Sequence, residues 1–255
     1  MFKEMFDLTG RIAIVTGGSR GIGEAIALAL SEFGAKVVLT SRKIEGLTAV
    51  KEKIEAAGGE AICIPAHMGD LDSLQKVVEG TLEAYGTIDI LVNNAATNPV
   101  FGPAMEADAA VWDKILDVNL KGIFFLTREV GKTMLANQKG SVINISTEAA
   151  QRPAPGLGVY SISKAGLDMV TKVFAQEWGP MGVRVNGIAP GLVKTSFSKA
   201  MWSNEEILKF VTSRNVLGRM ARPEEIAGAA VFLASDAASF ITGETLLADA
   251  GSMLS

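Results

Sequence analysis

Arg11-Ile12-Ala13-Ile14-Val15-Thr16, then Gly17-Gly18-Ser19-Arg20-Gly21-Ile22-Gly23, then Glu24-Ala25-Ile26-Ala27-Leu28-Ala29-Leu30-Ser31-Glu32-Phe33-Gly34, is the stretch that decides the fold. The first piece is short, apolar and β-branched, which reads as a buried strand. The third is rich in Ala, Leu and Glu and stops at a glycine, which reads as a helix. Between them the glycines are spaced Gly-x-x-x-Gly-x-Gly. Without side chains there, the backbone can approach a pyrophosphate, and the helix N-terminus faces it with free N–H groups. Gly17, Ser19, Arg20, Gly21, Ile22 and Gly23 are therefore expected to hold a dinucleotide.

Working outward, Lys36-Val37-Val38-Leu39-Thr40 reads as a second strand, and the residues at its end discriminate between cofactors. A ribose with a free 2′-hydroxyl is usually held there by an Asp or Glu. This chain has Ser41-Arg42-Lys43 instead. A carboxylate would repel a 2′-phosphate, whereas Arg42 and Arg20 could pair with one. NADP(H) is thus favoured, with NAD(H) still possible. Helix and strand patterns then alternate: helix over residues 44–57, strand over 60–65, helix over 71–85, strand over 88–92. Alternating units of this size predict an α/β fold, a doubly wound parallel sheet with helices on both faces. Asn93-Asn94-Ala95-Ala96 follows the fourth strand, at the sheet edge where such folds bind ligands, so Asn94 and Ala95 join the cofactor candidates.

Residues 109–138 read as one long, largely helical stretch, with Asn119 among apolar neighbours where a buried amide must find partners. Ser141-Val142-Ile143-Asn144-Ile145 is a fifth strand ending at Ser146-Thr147, and a Pro- and Gly-rich linker leads to Tyr160-Ser161-Ile162-Ser163-Lys164. Tyr160 and Lys164 are four apart, hence on one helix face. A phenol titrates near ~10, too high to exchange protons readily at neutral pH. An ammonium at ~4 Å is worth roughly 4 kcal/mol at an effective dielectric of ~20. That magnitude would make the tyrosine a usable acid and base. A sixth strand covers 183–188 and runs into Ala189-Pro190-Gly191, a helix covers 223–234, and Thr245-Leu246-Leu247-Ala248 closes the pattern. Residues 195–214 break it, with Phe197, Met201, Trp202, Ile207, Leu208 and Phe210 in a polar-punctuated segment. Such a segment can pack as core helices or fold over the cofactor edge as an apolar lid. No second domain, internal repeat or low-complexity tract interrupts residues 1–255.

Composition narrows the chemistry. The chain has 255 residues, 48% of them hydrophobic, and no run of 18 uncharged apolar residues, so no membrane span is expected and part of the apolar surplus is expected in subunit interfaces. A net charge of −4 without a basic patch argues against nucleic acid as the main partner. A single cysteine, Cys63, suits a reducing cytoplasm, as does an N-terminus without the apolar core of a signal peptide. One histidine, His67, rules out two-histidine zinc sites, and no carboxylate cluster points to a metal. The chemistry must then use Tyr, Lys, Ser, Thr, Asn or a borrowed cofactor.

With Thr16-Gly17-Gly18-Ser19-Arg20-Gly21-Ile22-Gly23, Asn93-Asn94-Ala95-Ala96, Asn119, Tyr160-x-x-x-Lys164 and Pro190-Gly191 in this order, the chain resembles the short-chain dehydrogenase/reductase family, classical type, over essentially its whole length. The resemblance implies a seven-stranded Rossmann-type sheet, mostly parallel, and hydride exchange between NAD(P)(H) and an alcohol or carbonyl. It implies that Tyr160 is the acid/base, that Lys164 holds the cofactor ribose and depresses the tyrosine pKa, and that Asn119 anchors a water in a proton relay. Pro190, Gly191, Val193 and Thr195 look like the residues around the nicotinamide. The family is commonly tetrameric, so a homotetramer or homodimer is expected.

Two departures from the family pattern stand out. A serine usually lies 13 residues before the tyrosine to hydrogen-bond the substrate oxygen; here that position is Thr147, with Ser146 one residue earlier. Thr147 keeps the hydroxyl but adds a methyl and a restricted χ1. Neighbours on a strand point to opposite faces, so only one of the two can serve, and Thr147 is the preferred candidate. At the adenine pocket, His67-Met68 replaces the usual Asp and apolar residue, as in a branch of NADPH-dependent carbonyl and retinal reductases that this chain also resembles at Ser41-Arg42-Lys43 and over residues 190–197. The expected activity is exchange of hydride between NADP(H) and a small-molecule ketone, aldehyde or secondary alcohol. A 3-ketoacyl thioester reductase or hydroxyacyl dehydrogenase, and a non-catalytic dinucleotide-binding sensor or scaffold, are the alternatives.

Overall fold

The computed structural model describes residues 2–254. Its strands are β1 (Ile12–Thr16), β2 (Lys36–Thr40), β3 (Ala61–Cys63), β4 (Ile90–Asn93), β5 (Gly140–Ile145), β6 (Val183–Pro190) and β7 (Thr245–Ala248). All of them pair in parallel, in the order β3-β2-β1-β4-β5-β6-β7. Sheets of this kind need helices on both faces, and the strand interiors show it: all five residues of β1 are buried. Successive side chains divide between two cores, as a period of two requires. Ala13, Val15, Val37, Leu39, Ile143 and Ile145 pack under α1 (Gly21–Glu32), α2 (Ile44–Ala56) and α9 (Pro223–Ala234). On the opposite face Ile14, Val38, Leu91, Val142 and Val185 pack under α3 (Leu71–Tyr85), α5 (Gly122–Ala136) and α6 (Gly158–Trp178).

The strand order positions the site. From β1 the chain builds outward to β2 and β3, then returns to lay β4 on the other side of β1, with Val15 beside both Leu39 and Val92. Connections leaving β1 and β4 therefore diverge, and a crevice opens at their C-terminal ends. Gly17 follows β1 directly and has φ +65°; a Cβ built there would lie 2.7 Å from the Asn94 side chain, so only glycine fits.

The long helix expected over 109–138 is divided. It runs as α4 (Ala109–Leu116), a π turn (Asp117–Lys121) and α5, ending at Ala136. The Gly122 N–H bonds the Asp117 carbonyl, a five-residue step that places one extra residue in the turn. Asn119 sits in that turn and is fully buried. Beyond β6, short helices α7 (Lys199–Trp202) and α8 (Glu205–Thr212) make up the irregular segment, and neither contains a buried residue.

Candidate active site

Thr16, the last residue of β1, organises the crevice floor. Its hydroxyl donates to the Val92 carbonyl (3.2 Å) and accepts from the N–H groups of Asn94 (2.9 Å) and Ala95 (3.1 Å). The Asn94 amide donates to the carbonyls of Thr16 (2.9 Å) and Gly17 (3.2 Å), so this side chain braces the glycine turn. Asn93 turns the other way. Its amide donates to the Thr127 hydroxyl and to Asn144, both at 2.9 Å, and Asn144 donates to the Thr171 hydroxyl on α6 (2.8 Å). A buried polar chain thus ties β4, α5, β5 and α6 together; cut once, it would leave unpaired groups in a low-dielectric interior.

That tie sets α6 against the end of β5. Lys164 is 1% exposed and donates to the Ile145 carbonyl (2.6 Å), with its ammonium 5.9 Å from the centroid of the Tyr160 ring. Tyr160 is 9% exposed and lies 5.9 Å, ring to ring, from Phe197 of the irregular segment. The Asn119 side chain accepts from the Thr97 N–H (2.8 Å), and its amide donates to the Thr97 carbonyl (2.9 Å) and the Ser163 hydroxyl (3.2 Å). The Ser163 hydroxyl donates in turn to the Tyr160 carbonyl (2.7 Å). Ser163 and Thr16 are the connecting residues that sequence reasoning missed. A small hydroxyl one helical step from Tyr160, on the Lys164 side, was the available signal for the first.

Electrostatics in this corner is dominated by desolvation. Burial pushes the Tyr160 phenol above its ordinary value, opposite to the lowering expected from the Lys164 charge alone. Burial also pulls Lys164 down to about 8, against the opposing pull of Asp168. Burial thus disfavours the charged form of both groups.

Ser146 and Thr147 point apart. Ser146 is buried on the α6 side, and its hydroxyl forms no hydrogen bond. Thr147 is partly exposed, and its hydroxyl accepts from the Ala149 N–H (3.3 Å). Just beyond, Glu148 accepts from the Ser252 hydroxyl, and Arg152 donates to the Ser252 carbonyl (2.6 Å). The C-terminal turn is thereby fastened to the loop after Thr147, a contact between residues about a hundred positions apart that no local pattern announces.

The remaining candidates lie along the same sheet edge. Ser41 follows β2, and its carbonyl accepts from the Ala66 N–H (3.0 Å), which brings the His67-Met68 loop alongside. The His67 ring is turned into its own loop, with Nδ1 accepting from the Gly69 N–H (3.0 Å). Among the described residues, the guanidinium groups of Arg20 and Arg42 have no hydrogen-bond or ion-pair partner. Pro190 ends β6, the Gly191 N–H donates to the Ala248 carbonyl (3.1 Å), and Val193 bridges to Ala221. A Cβ on Gly21 would lie 3.2 Å from Thr195, and the Trp202 indole donates to the Thr195 carbonyl (2.8 Å), so the irregular segment starts over the glycine turn.

A glycine turn without room for side chains follows β1 at the crevice, and a buried tyrosine and a buried ammonium lie together on α6 at the end of β5. This is the arrangement of a dinucleotide-dependent oxidoreductase. A family model described as enoyl-(acyl carrier protein) reductase matches residues 17–253. The chain is 41% identical over 244 residues to dehydrogenase/reductase SDR family member 4 of Oryctolagus cuniculus, covering 96% of this chain and 94% of that protein. It is 40% identical over 253 residues to the 3-oxoacyl-[acyl-carrier-protein] reductase of Synechocystis sp., covering 98% and 100%. Among solved structures, the gluconate 5-dehydrogenase of Burkholderia cenocepacia in complex with NADP and tartrate superposes with a TM-score of 0.96 at 30% identity, covering all of both chains. The chain belongs to the short-chain dehydrogenase/reductase family and is an NAD(P)-dependent oxidoreductase.

Proposed function

We propose that the protein exchanges hydride between NADP(H) and a small ketone or aldehyde, or the corresponding secondary alcohol, with Tyr160 as the acid/base. The observation that carries this is the buried pair of Tyr160 and Lys164 at the same crevice as the glycine turn. When bound, the nicotinamide supplies the hydride that reduces the carbonyl carbon. Tyr160 gives its proton to the carbonyl oxygen, and the nearby Lys164 ammonium opposes the raising of the phenol by burial. The Thr147 hydroxyl donates a hydrogen bond to the same oxygen as negative charge develops. Lys164 has two N–H bonds left after its bond to Ile145, and these hold the ribose hydroxyls. Asn119 spends its side chain on Thr97 and Ser163, which leaves the backbone of the π turn to anchor the relay water.

Support for NADP(H) over NAD(H) comes from Arg20 and Arg42, unpaired beside a strand end without a carboxylate. Gly17, Ser19, Gly21, Ile22 and Gly23 would line the pyrophosphate. Ser41 would contact the 2′-phosphate, His67 and Met68 the adenine, Asn94 and Ala95 the ribose, and Pro190, Gly191, Val193 and Thr195 the nicotinamide. Residues 195–214 would close over the site, which the Tyr160–Phe197 contact favours. Exposed apolar side chains on α6 (Ile162, Met169, Val173) and on β7 (Leu246, Leu247) favour a homotetramer or homodimer in the cytoplasm. The likeness to a 3-oxoacyl-[acyl-carrier-protein] reductase favours a second reading, reduction of a 3-ketoacyl thioester by the same groups. Fluorescence titration with NADPH and NADH tests the cofactor reading: NADPH should bind much more tightly, and binding of neither would overturn it. Comparing a simple ketone with a 3-ketoacyl thioester then separates the two substrate readings.

A further inference from the structure

Helix α6 carries a carboxylate one turn beyond Lys164, at Asp168. With the base N-terminal to the acid, the pair has the less favourable of the two i, i+4 orders for supporting a helix. The exposed Asp117–Lys121 pair has the favourable one. Helix stability is therefore a poor reason for Asp168 to be there. The residue is half-buried, and its Oδ1 is shielded from solvent and makes no hydrogen bond. Across from it the end of β5 presents Ser146, whose hydroxyl is buried and unbonded as well. Strand and helix are fixed together here by the Asn144–Thr171 bond (2.8 Å) and the Lys164–Ile145 bond (2.6 Å).

Orphaned polar atoms in a packed interior cost stability, so a pair of them beside a buried ammonium calls for a reason. Burial raises the Asp168 carboxyl, while the Ser146 hydroxyl, the Lys164 ammonium and the exposed Lys172 ammonium pull it down. The Ser146 hydroxyl neighbours the carboxylate without a hydrogen bond between them. Two uncharged amides bond α6 near the pair, Asn144 of β5 at Thr171 and Asn119 of the π turn at Ser163. Of the neighbouring charges, Asp168 is the one that favours the charged form of Lys164.

We propose that Asp168 is a positioning residue of the active site, which fixes the buried Lys164 ammonium from one helical turn along α6, with the unbonded Ser146 hydroxyl of the β5 end beside it. The proposal rests on the reading of Lys164 as the ribose-holding group. It separates the two neighbouring hydroxyls: Ser146 serves Asp168 from behind, and Thr147 is left to face the substrate.

The test needs no substrate. NADPH affinity is measured by fluorescence between about pH 7 and pH 10 for the wild-type chain and for Asp168→Asn, Asp168→Ala and Asp168→Glu. Affinity should fall as Lys164 loses its proton. In the two neutral variants that fall should come at a pH lower by about one unit. Asp168→Glu, which keeps the charge, should return it toward the wild-type position. In carbonyl reduction the alkaline limb of kcat should move the same way, because both a neutral Lys164 and an ionised Tyr160 abolish the acid function. Either neutral variant suffices if the other does not fold. A neutral variant that folds and binds NADPH with the alkaline fall unmoved, whatever its melting temperature, would overturn the proposal. Absence of NADPH binding by the wild-type chain would overturn the reading of the site, and the proposal with it.

Discussion

Tyr160 is buried, which raises its phenol, and in the proposed reduction the protonated phenol is the form that gives its proton to a carbonyl oxygen. Thr147, at the crevice side of the strand end, is the donor to that oxygen in our account. Thr147→Ala should lower kcat by about 10²-fold, the usual loss on removing one donor to a developing oxyanion, and leave NADPH affinity unchanged. Thr147→Ser keeps the hydroxyl and should recover most of the rate; an inert Ser variant beside an active Ala variant would contradict the role. Arg42 makes a separate prediction. If it meets a 2′-phosphate, Arg42→Ala should weaken NADPH by roughly 1.5–3 kcal/mol and leave NADH nearly unchanged, read by titration with each cofactor. Equal losses for both would make Arg42 a surface charge only.

Among the elements, the π turn is the one that carries Asn119 and the one the sequence conceals. Apolar residues recur through 109–138 as on a single helix, and nothing in that periodicity marks a five-residue step at Asp117. The cause is tertiary: Gly122 has no Cβ, so its backbone packs onto the Met68 carbonyl, and Asn119 captures the Thr97 backbone. Gly122→Ala would drive a methyl into that carbonyl. It should cost about 1–3 kcal/mol in urea or thermal unfolding, and lower kcat as the Asn119 turn shifts. Wild-type stability and rate in Gly122→Ala would show that the contact yields easily. The strands were legible for a different reason. β1, β2 and β5 are buried on both faces, so they read as short apolar runs whatever their neighbours. The hold of Ser252 and Arg152 on the Thr147 loop was illegible, because it joins residues far apart in the chain.

At the scale of the whole molecule, the parallel sheet with β1 beside β4 brings the ends of strands far apart in sequence to one edge. The glycine turn, the Asn94 bend and the Tyr160 helix could be read from the chain because each carries its own local signature. The bracing beneath them, from Thr16, Asn93, Asn144 and Ser163, could not, since a buried hydroxyl or amide shows its partner only when the fold is built. Phe240, Leu246 and Leu247 near the β7 edge are exposed and would be covered in the homo-oligomer proposed above. The most direct measurement on the central claim is NADPH oxidation, followed by its absorbance with a panel of ketones and aldehydes, for the wild-type chain and for Tyr160→Phe. Our account predicts turnover by the wild type and a loss of about 10²-fold or more in Tyr160→Phe, with NADPH binding preserved. Wild-type protein that binds NADPH and reduces nothing in the panel, or a Tyr160→Phe variant as active as wild type, would contradict it.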